Sequence, residues 1–235
     1  VKDASPSALP TAHFKPASDQ SLLVYFDEAI TEDARYRVLK LLRLLESHPI
    51  RGVRNLHPAY SSLLVKFDAL SLTHDELQAT LETYIKRLET LRLAEPRQIE
   101  IPVCYGGEFG PDLDDFAALH KLTAAEVIAA HASAAYVVSF LGFAPGFAYL
   151  QGLPEHLATP RLQTPRRQVP AGSVGIAGRQ TGVYPFSTPG GWRLIGRTPL
   201  KMFSPYRQPM SLLQIGDGVR FTAISAWQFA SMASK

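Results

Sequence analysis

Three neighbouring stretches decide the fold: FLGFAPGFAYLQGL (140–153), TPRRQVPAGSVGIAGRQTGVYPF (164–186) and STPGGWRLIGRTPLKM (187–202). Their glycines stand directly beside apolar or aromatic residues: Gly142 with Phe143, Gly146 with Phe147, Gly175 with Ile176, Gly191 with Trp192. Glycine serves where φ is positive or where another group must approach the backbone closely. Proline fixes φ and removes a donor. Alternating both with Phe, Tyr and Trp predicts rigid turns that carry an aromatic, concave surface. A small β-barrel with tight corners uses the same residues. Barrel loops often line a site, so the two readings stand together.

Outward from this region, short strands are expected at Ser173–Ile176, Trp192–Gly196 and Gly218–Ile224, an all-β pattern broken by turn-rich loops. Upstream, Ile99–Cys104 and Ala135–Leu141 read as strands, with short helices over Pro111–His120 and Thr123–His131 between them. Thr123 and Glu126 form a capping box. AEPR (94–97) marks a boundary. Before it the order is β-α-β-β-α. Ser21–Asp27 is a strand, and Thr31 caps a helix to Glu46 with Leu39, Leu42 and Leu45 at helical spacing. Gly52–His57 and Ser62–Phe67 are strands, and the box Thr73/Glu76 opens a helix to about Leu91. Helices on one face of a small antiparallel sheet bury such stripes. The expected class is therefore α+β: a tail at 1–17, a ferredoxin-like domain at 18–94 and a β-rich domain at 95–235. The tail, rich in Ser, Ala and Pro, is read as flexible.

Composition bounds the function. The chain has 235 residues, 46% of them hydrophobic, and a formal net charge of +3 with scattered basic residues, which argues against nucleic acid as the main partner. One cysteine, Cys104, excludes an intramolecular disulfide framework and suits the cytoplasm. No apolar run approaches membrane-spanning length. Neither a Walker-type phosphate loop, a dinucleotide fingerprint nor a G-x-S-x-G elbow is present. No two histidines lie at i, i+4, so no zinc site is expected. Cys104 reads as a small buried hydrophobe.

Individual residues carry paired readings. His131 ends a helix, where the dipole favours its cation; it is either a satisfied terminal histidine or a proton donor at the mouth before FLGFAPGF. Arg166 and Arg197 sit beside rigid turns and are candidate anion clamps, against the commoner surface ion pair. Gln180, Thr181 and Tyr184 offer amide and hydroxyl groups for a small polar substrate, or merely satisfy a hairpin. Phe143, Pro145, Gly146 and Trp192 are candidate pocket walls, whereas Phe147 is assigned to the core and Arg161 and Arg167 to solvent.

Five stretches carry a family resemblance: PVCYGGEFGPDLDD (102–115), FLGFAPGFAYL (140–150), TPR (164–166), VPAGSVGIAGRQTGVYP (169–185) and TPGGWRLIGRTP (188–199). They resemble the carboxyltransferase-domain family that includes the B subunit of the ATP-dependent bacterial 5-oxoprolinase, subunit 1 of allophanate hydrolase-type proteins and an inhibitor of a sporulation histidine kinase. The similarity runs from about Asp19 to Phe221. Ala148 stands where many relatives have proline, and the usual glycine near Asp19 is missing. The resemblance implies a cyclophilin-like barrel for the second domain. It implies a subunit that opens 5-oxo-L-proline to L-glutamate together with partner subunits A and C, with ATP bound by the assembled complex and the lactam oxygen phosphorylated. His131 is the implied catalytic group. Phe143, Pro145, Gly146, Arg166, Gln180, Thr181, Tyr184, Trp192 and Arg197 are the implied substrate contacts. The same motifs are shared by a regulatory module that docks on a sensor histidine kinase, and more distantly by urea carboxylase-type proteins, so these remain alternatives. An isolated subunit that exposes an apolar partner face is open to self-association.

Overall fold

A computed structural model describes residues 12–233. The chain divides into two compact units, Val1–Glu95 and Pro96–Lys235. Of the segment expected to be a tail, residues 1–11 lie outside the described residues. Residues 13–17 are not a tail: they form most of strand β1 (His13–Ser18), which pairs antiparallel with β2 (Ser21–Tyr25).

The rest of the first unit follows the expected alternation. After β2 come α1 (Glu32–Ser47), β3 (Val53–Pro58), β4 (Ser62–Phe67) and α2 (His74–Lys86). The sheet order is β1-β2-β4-β3, antiparallel throughout. Thr31 caps α1 by accepting the Ala34 N–H at 3.2 Å. The buried stripe of α1 centres on Val38, Leu41 and Leu45, while Leu39 is only half-buried. Thr73 and Glu76 close the capping box of α2, with the Thr73 N–H donating to the Glu76 carboxylate at 2.9 Å. The helix stops at Lys86, short of Leu91, and continues as turns. Leu63 and Val65 of β4 are fully buried together with Leu41, Leu77 and Leu81, while Lys66 faces solvent. This is the period-2 alternation of a half-covered sheet.

The second unit is a closed barrel. Its strands are β5 (Gln98–Tyr105), β6 (Tyr136–Leu141), β7 (Ala148–Gln151), β9 (Ser173–Ala177), β10 (Gln180–Val183), β12 (Arg193–Arg197) and β13 (Gly218–Ala223), in the order β10-β7-β6-β13-β5-β12-β9. β9 pairs with β10 to close the ring, and β13 with β5 is a parallel pair. It fits the cyclophilin-like barrel that the resemblance implied. A separate ribbon is made by β8 (Arg166–Val169) and β11 (Thr188–Gly190). Ile101, Val103, Val138, Leu150, Val174, Ile176 and Ile195 fill the core. Phe116 of α3 (Leu113–Leu119) and Val127 of α4 (Ala124–Ser133) join it. A last helix, α5 (Ala226–Ala233), buries none of its residues.

Candidate functional site on the aromatic face of the barrel

His131 lies inside the barrel, not at its mouth. It is fully buried in the last turns of α4. Its Nε2 is 3.0 Å from Thr181 Oγ1, and the Thr181 hydroxyl donates to the Gly175 carbonyl at 3.0 Å. With that proton spent, Thr181 can only accept from His131, so Nε2 carries the ring proton. Nδ1 then accepts from the Tyr105 hydroxyl at 2.8 Å. Every polar atom of the ring is used. Burial pushes the imidazole pKa down to about 3, so it is neutral wherever the protein works. The expectation of a catalytic proton donor is corrected: His131 is a structural, neutral histidine. Thr181 is corrected with it. Its register partners are Ile176 and Leu150, both in the core, so its side chain faces inward.

The same register puts Gln180 and Gly182 on the opposite, outer face with Ala177 and Gly175. There a second cluster forms from Phe147, Val169, Ala177, Tyr184, Trp192 and Leu194. Gly182 leaves room for rings: a Cβ on it would come within 3.1 Å of the Phe147 ring and 3.2 Å of the Trp192 indole. Phe147, Tyr184 and Trp192 meet edge-on at 5.4–6.4 Å between centroids, the arrangement the ring quadrupoles favour. Phe143 stands at the rim, 62% exposed, 5.3 Å from Phe147 and 6.2 Å from Tyr184. Its φ is +67°, a left-handed conformation that costs a bulky residue on the order of 1–3 kcal/mol.

Polar groups converge on this wall. The Tyr184 phenol is held above its ordinary pKa by burial, opposed by the Trp192 backbone N–H and the charges of Arg161 and Arg166. Arg166 Nη2 donates to Asp112 Oδ1, and the other oxygen of Asp112 accepts the Leu194 N–H at 2.6 Å. Asp112 is itself buried, so the guanidinium is clamped from below. Arg166 Nη1 is also buried and has no hydrogen-bond partner among the described residues. The same holds for Thr188 Oγ1 on the neighbouring strand. Buried donors are almost always satisfied, so an idle guanidinium N–H beside a phenol is a signature of an awaited partner.

The structure thus gathers Phe143, Gln180, Tyr184, Trp192 and Arg166 on one face. Pro145 is exposed in the same turn as Phe143. It does not bring in Gly146, which is buried with φ +83° against Met202 and Phe203 and serves packing. Arg197 is anchored elsewhere, its Nε donating to the Ala171 carbonyl at 2.9 Å. Asp112 and Thr188 were not singled out in the sequence. Asp112 sits among three acids in GPDLDD, and nothing in the string marks the one that reaches Arg166, 54 residues on.

The carboxyltransferase domain, subdomain C and D, family model matches residues 12–213. Curated 5-oxoprolinase B subunits from Bacillus subtilis (strain 168) and Escherichia coli O157:H7 are 45% and 44% identical, over 88% and 86% of this chain and 90% and 92% of theirs. The chain belongs to the family of 5-oxoprolinase B subunits. Among solved structures, TTHA0988 superposes with a TM-score of 0.77 at 35% identity, over 88% of this chain. The present chain spans 40% of that longer one.

Within this family's frame the remaining candidates are structural. Cys104 is 6% exposed at the end of β5, and burial raises its thiol pKa, so it is a poor nucleophile. Among the described residues no helix is long and apolar enough to cross a membrane, and no His, Cys, Asp and Glu residues cluster as a metal site.

Proposed function

We propose that this chain works as the B subunit of an ATP-dependent 5-oxoprolinase, opening 5-oxo-L-proline to L-glutamate with partner subunits A and C in the cytoplasm. Its identity to curated B subunits supports the assignment. The observation that carries the site is the buried, unpartnered Nη1 of Arg166, fixed by Asp112 beside the Tyr184 phenol. A five-membered lactam is a resonance-stabilised amide with a poor leaving group. Transfer of the ATP γ-phosphoryl group to the lactam oxygen makes the ring carbon electrophilic. Water adds there, the C–N bond breaks to free the amine, and phosphate departs with the oxygen it took up. This chain's part is to hold the small ring against Phe143 and Trp192. Arg166 donates to the substrate carboxylate or to the oxygen that takes the phosphoryl group, and Tyr184 donates beside it. One guanidinium clamps one anionic group, so the reading assigns the rest of the ATP triphosphate to the partner subunits. The same reading takes the first unit as a ferredoxin-like variant, with β1 in the edge place beside β2 that a strand after α2 would fill.

Reconstitution tests it. The wild-type chain mixed with subunits A and C should release glutamate only with ATP. Arg166→Lys, which keeps the charge for Asp112 but loses the planar fork, should lower turnover at least ~10-fold with assembly intact. Tyr184→Phe should also lower it. Unchanged turnover in both would return these residues to scaffold. No ATP-dependent release from a properly assembled wild-type mixture would remove the enzyme reading itself.

A further inference from the structure

The first unit carries a cleft of about 410 Å³ that the proposed reaction does not use. Its volume falls within the roughly 300–1,000 Å³ of small-molecule sites. Phe14 of β1, Tyr36 of α1, and Ile85 and Leu88 at the end of α2 supply apolar walls. Arg37 lines the same cleft and is 9% exposed. Its guanidinium lies over Phe26, 4.6 Å from the ring centroid. Its Nη1 is buried with no hydrogen-bond partner among the described residues. An idle N–H on a buried cation is costly, and a ligand that accepts from it recovers that cost. Lys40 is different: its ammonium already donates to the Leu88 carbonyl at 2.7 Å.

The charges around the cleft select the ligand. Arg37, Lys40 and Lys86 are met by Asp33, Glu82 and Glu89, so the lining is balanced. A dianion such as a phosphate finds no net attraction there and meets three carboxylates. A single negative charge on an apolar body matches both the spare N–H and the walls. We propose that this cleft binds a small monocarboxylate with an apolar body. Its carboxylate accepts from Arg37 Nη1, and its hydrocarbon lies against Phe14, Ile85 and Leu88. This site is independent of the barrel and of the reaction assigned to it.

Hexanoate, hexan-1-ol and inorganic phosphate, each titrated into the full chain and followed by calorimetry and amide NMR shifts, test the proposal. Hexanoate should saturate one site and shift amides in residues 33–40 and 82–89. Hexan-1-ol should bind at least ~10-fold more weakly, because a charge-assisted bond is lost. Phosphate should leave those amides unmoved. Arg37→Met keeps an apolar stem over Phe26 and should weaken hexanoate at least ~10-fold while leaving hexan-1-ol alone. Ile85→Trp fills the cleft from a half-buried position, leaves the guanidinium in place and should abolish both ligands. If circular dichroism shows Arg37→Met to be unfolded, Ile85→Trp decides. No saturable hexanoate binding, equal affinity for hexanoate and hexan-1-ol, shifts confined to other residues, or undiminished binding in the folded variants would overturn it.

Discussion

At the scale of single residues, His131 shows how burial decides a role. In the string it ends a helix just before the glycine-rich loops, a position equally good for a donor or for a satisfied terminus. The neutral ring, bonded to Tyr105 and Thr181, makes it a stability element with a pH signature. The unfolded imidazole takes up a proton as the pH drops through about 6.5, whereas the folded one resists until about 3. The unfolded state therefore binds more protons between those values, and stability is full above about 6.5 and drains as the pH falls. This one group should cost about 1.4 kcal/mol per pH unit below 6. Urea unfolding read by tryptophan fluorescence, at a series of pH values from 7.5 to 4, measures it. His131→Gln should be less stable by about 1–3 kcal/mol at pH 7.5, with a shallower slope between pH 6 and 4. An unchanged slope would mean the histidine is not the group that titrates. Arg166 illustrates the converse. TPR flagged an arginine in a rigid turn, but its meaning depends on Asp112, which only the fold brings to it.

At the scale of elements, capping boxes and alternation were legible because they are local. Thr73/Glu76 and Thr123/Glu126 open α2 and α4 as their spacing requires. The inward and outward faces of β10 were not legible. A one-residue register choice sends Thr181 into the core and Gln180 to the aromatic side, and register is set by partners β7 and β9. Strand β1 was missed because a segment with two prolines at positions 10 and 16 reads as a tail until β2 offers its edge. Gly190 tests whether the β8–β11 ribbon positions the site. Its Cβ, if added, would fall 2.5 Å from the Tyr184 hydroxyl, far inside contact distance. Gly190→Ala must therefore displace either the ribbon or the phenol. Because Gly190 pairs with Arg166 in the ribbon, the guanidinium moves with it. The variant should lose at least ~10-fold in turnover of the reconstituted complex, because an ångström of misplacement weakens a clamp steeply. The barrel, closed by other strands, should keep its far-UV spectrum. Normal turnover in the folded variant would show that the ribbon is a bystander.

At the scale of the whole molecule, each unit has a core of its own. The first buries Leu22, Val24, Leu41, Leu63, Val65, Leu77 and Leu81 between one sheet and two helices, and the second fills a closed barrel. Both tryptophans, Trp192 in the aromatic wall and Trp227 on α5, lie in the second unit. Tryptophan fluorescence therefore reports the barrel alone, while far-UV circular dichroism also sees α1 and α2, the longest helices among the described residues. Leu77→Ala removes a fully buried side chain from the first core, at a cost of about 2–5 kcal/mol. If the cores are separately cooperative, that loss should move the dichroism transition to lower urea and leave the fluorescence midpoint where it was. The reciprocal change, Ile176→Ala in the barrel core, should move the fluorescence midpoint. Equal shifts of both signals in Leu77→Ala would show a single folding block instead. Ligand chemistry then follows the same division: hexanoate should raise the dichroism midpoint of the first unit by mass action and leave the barrel's fluorescence midpoint untouched.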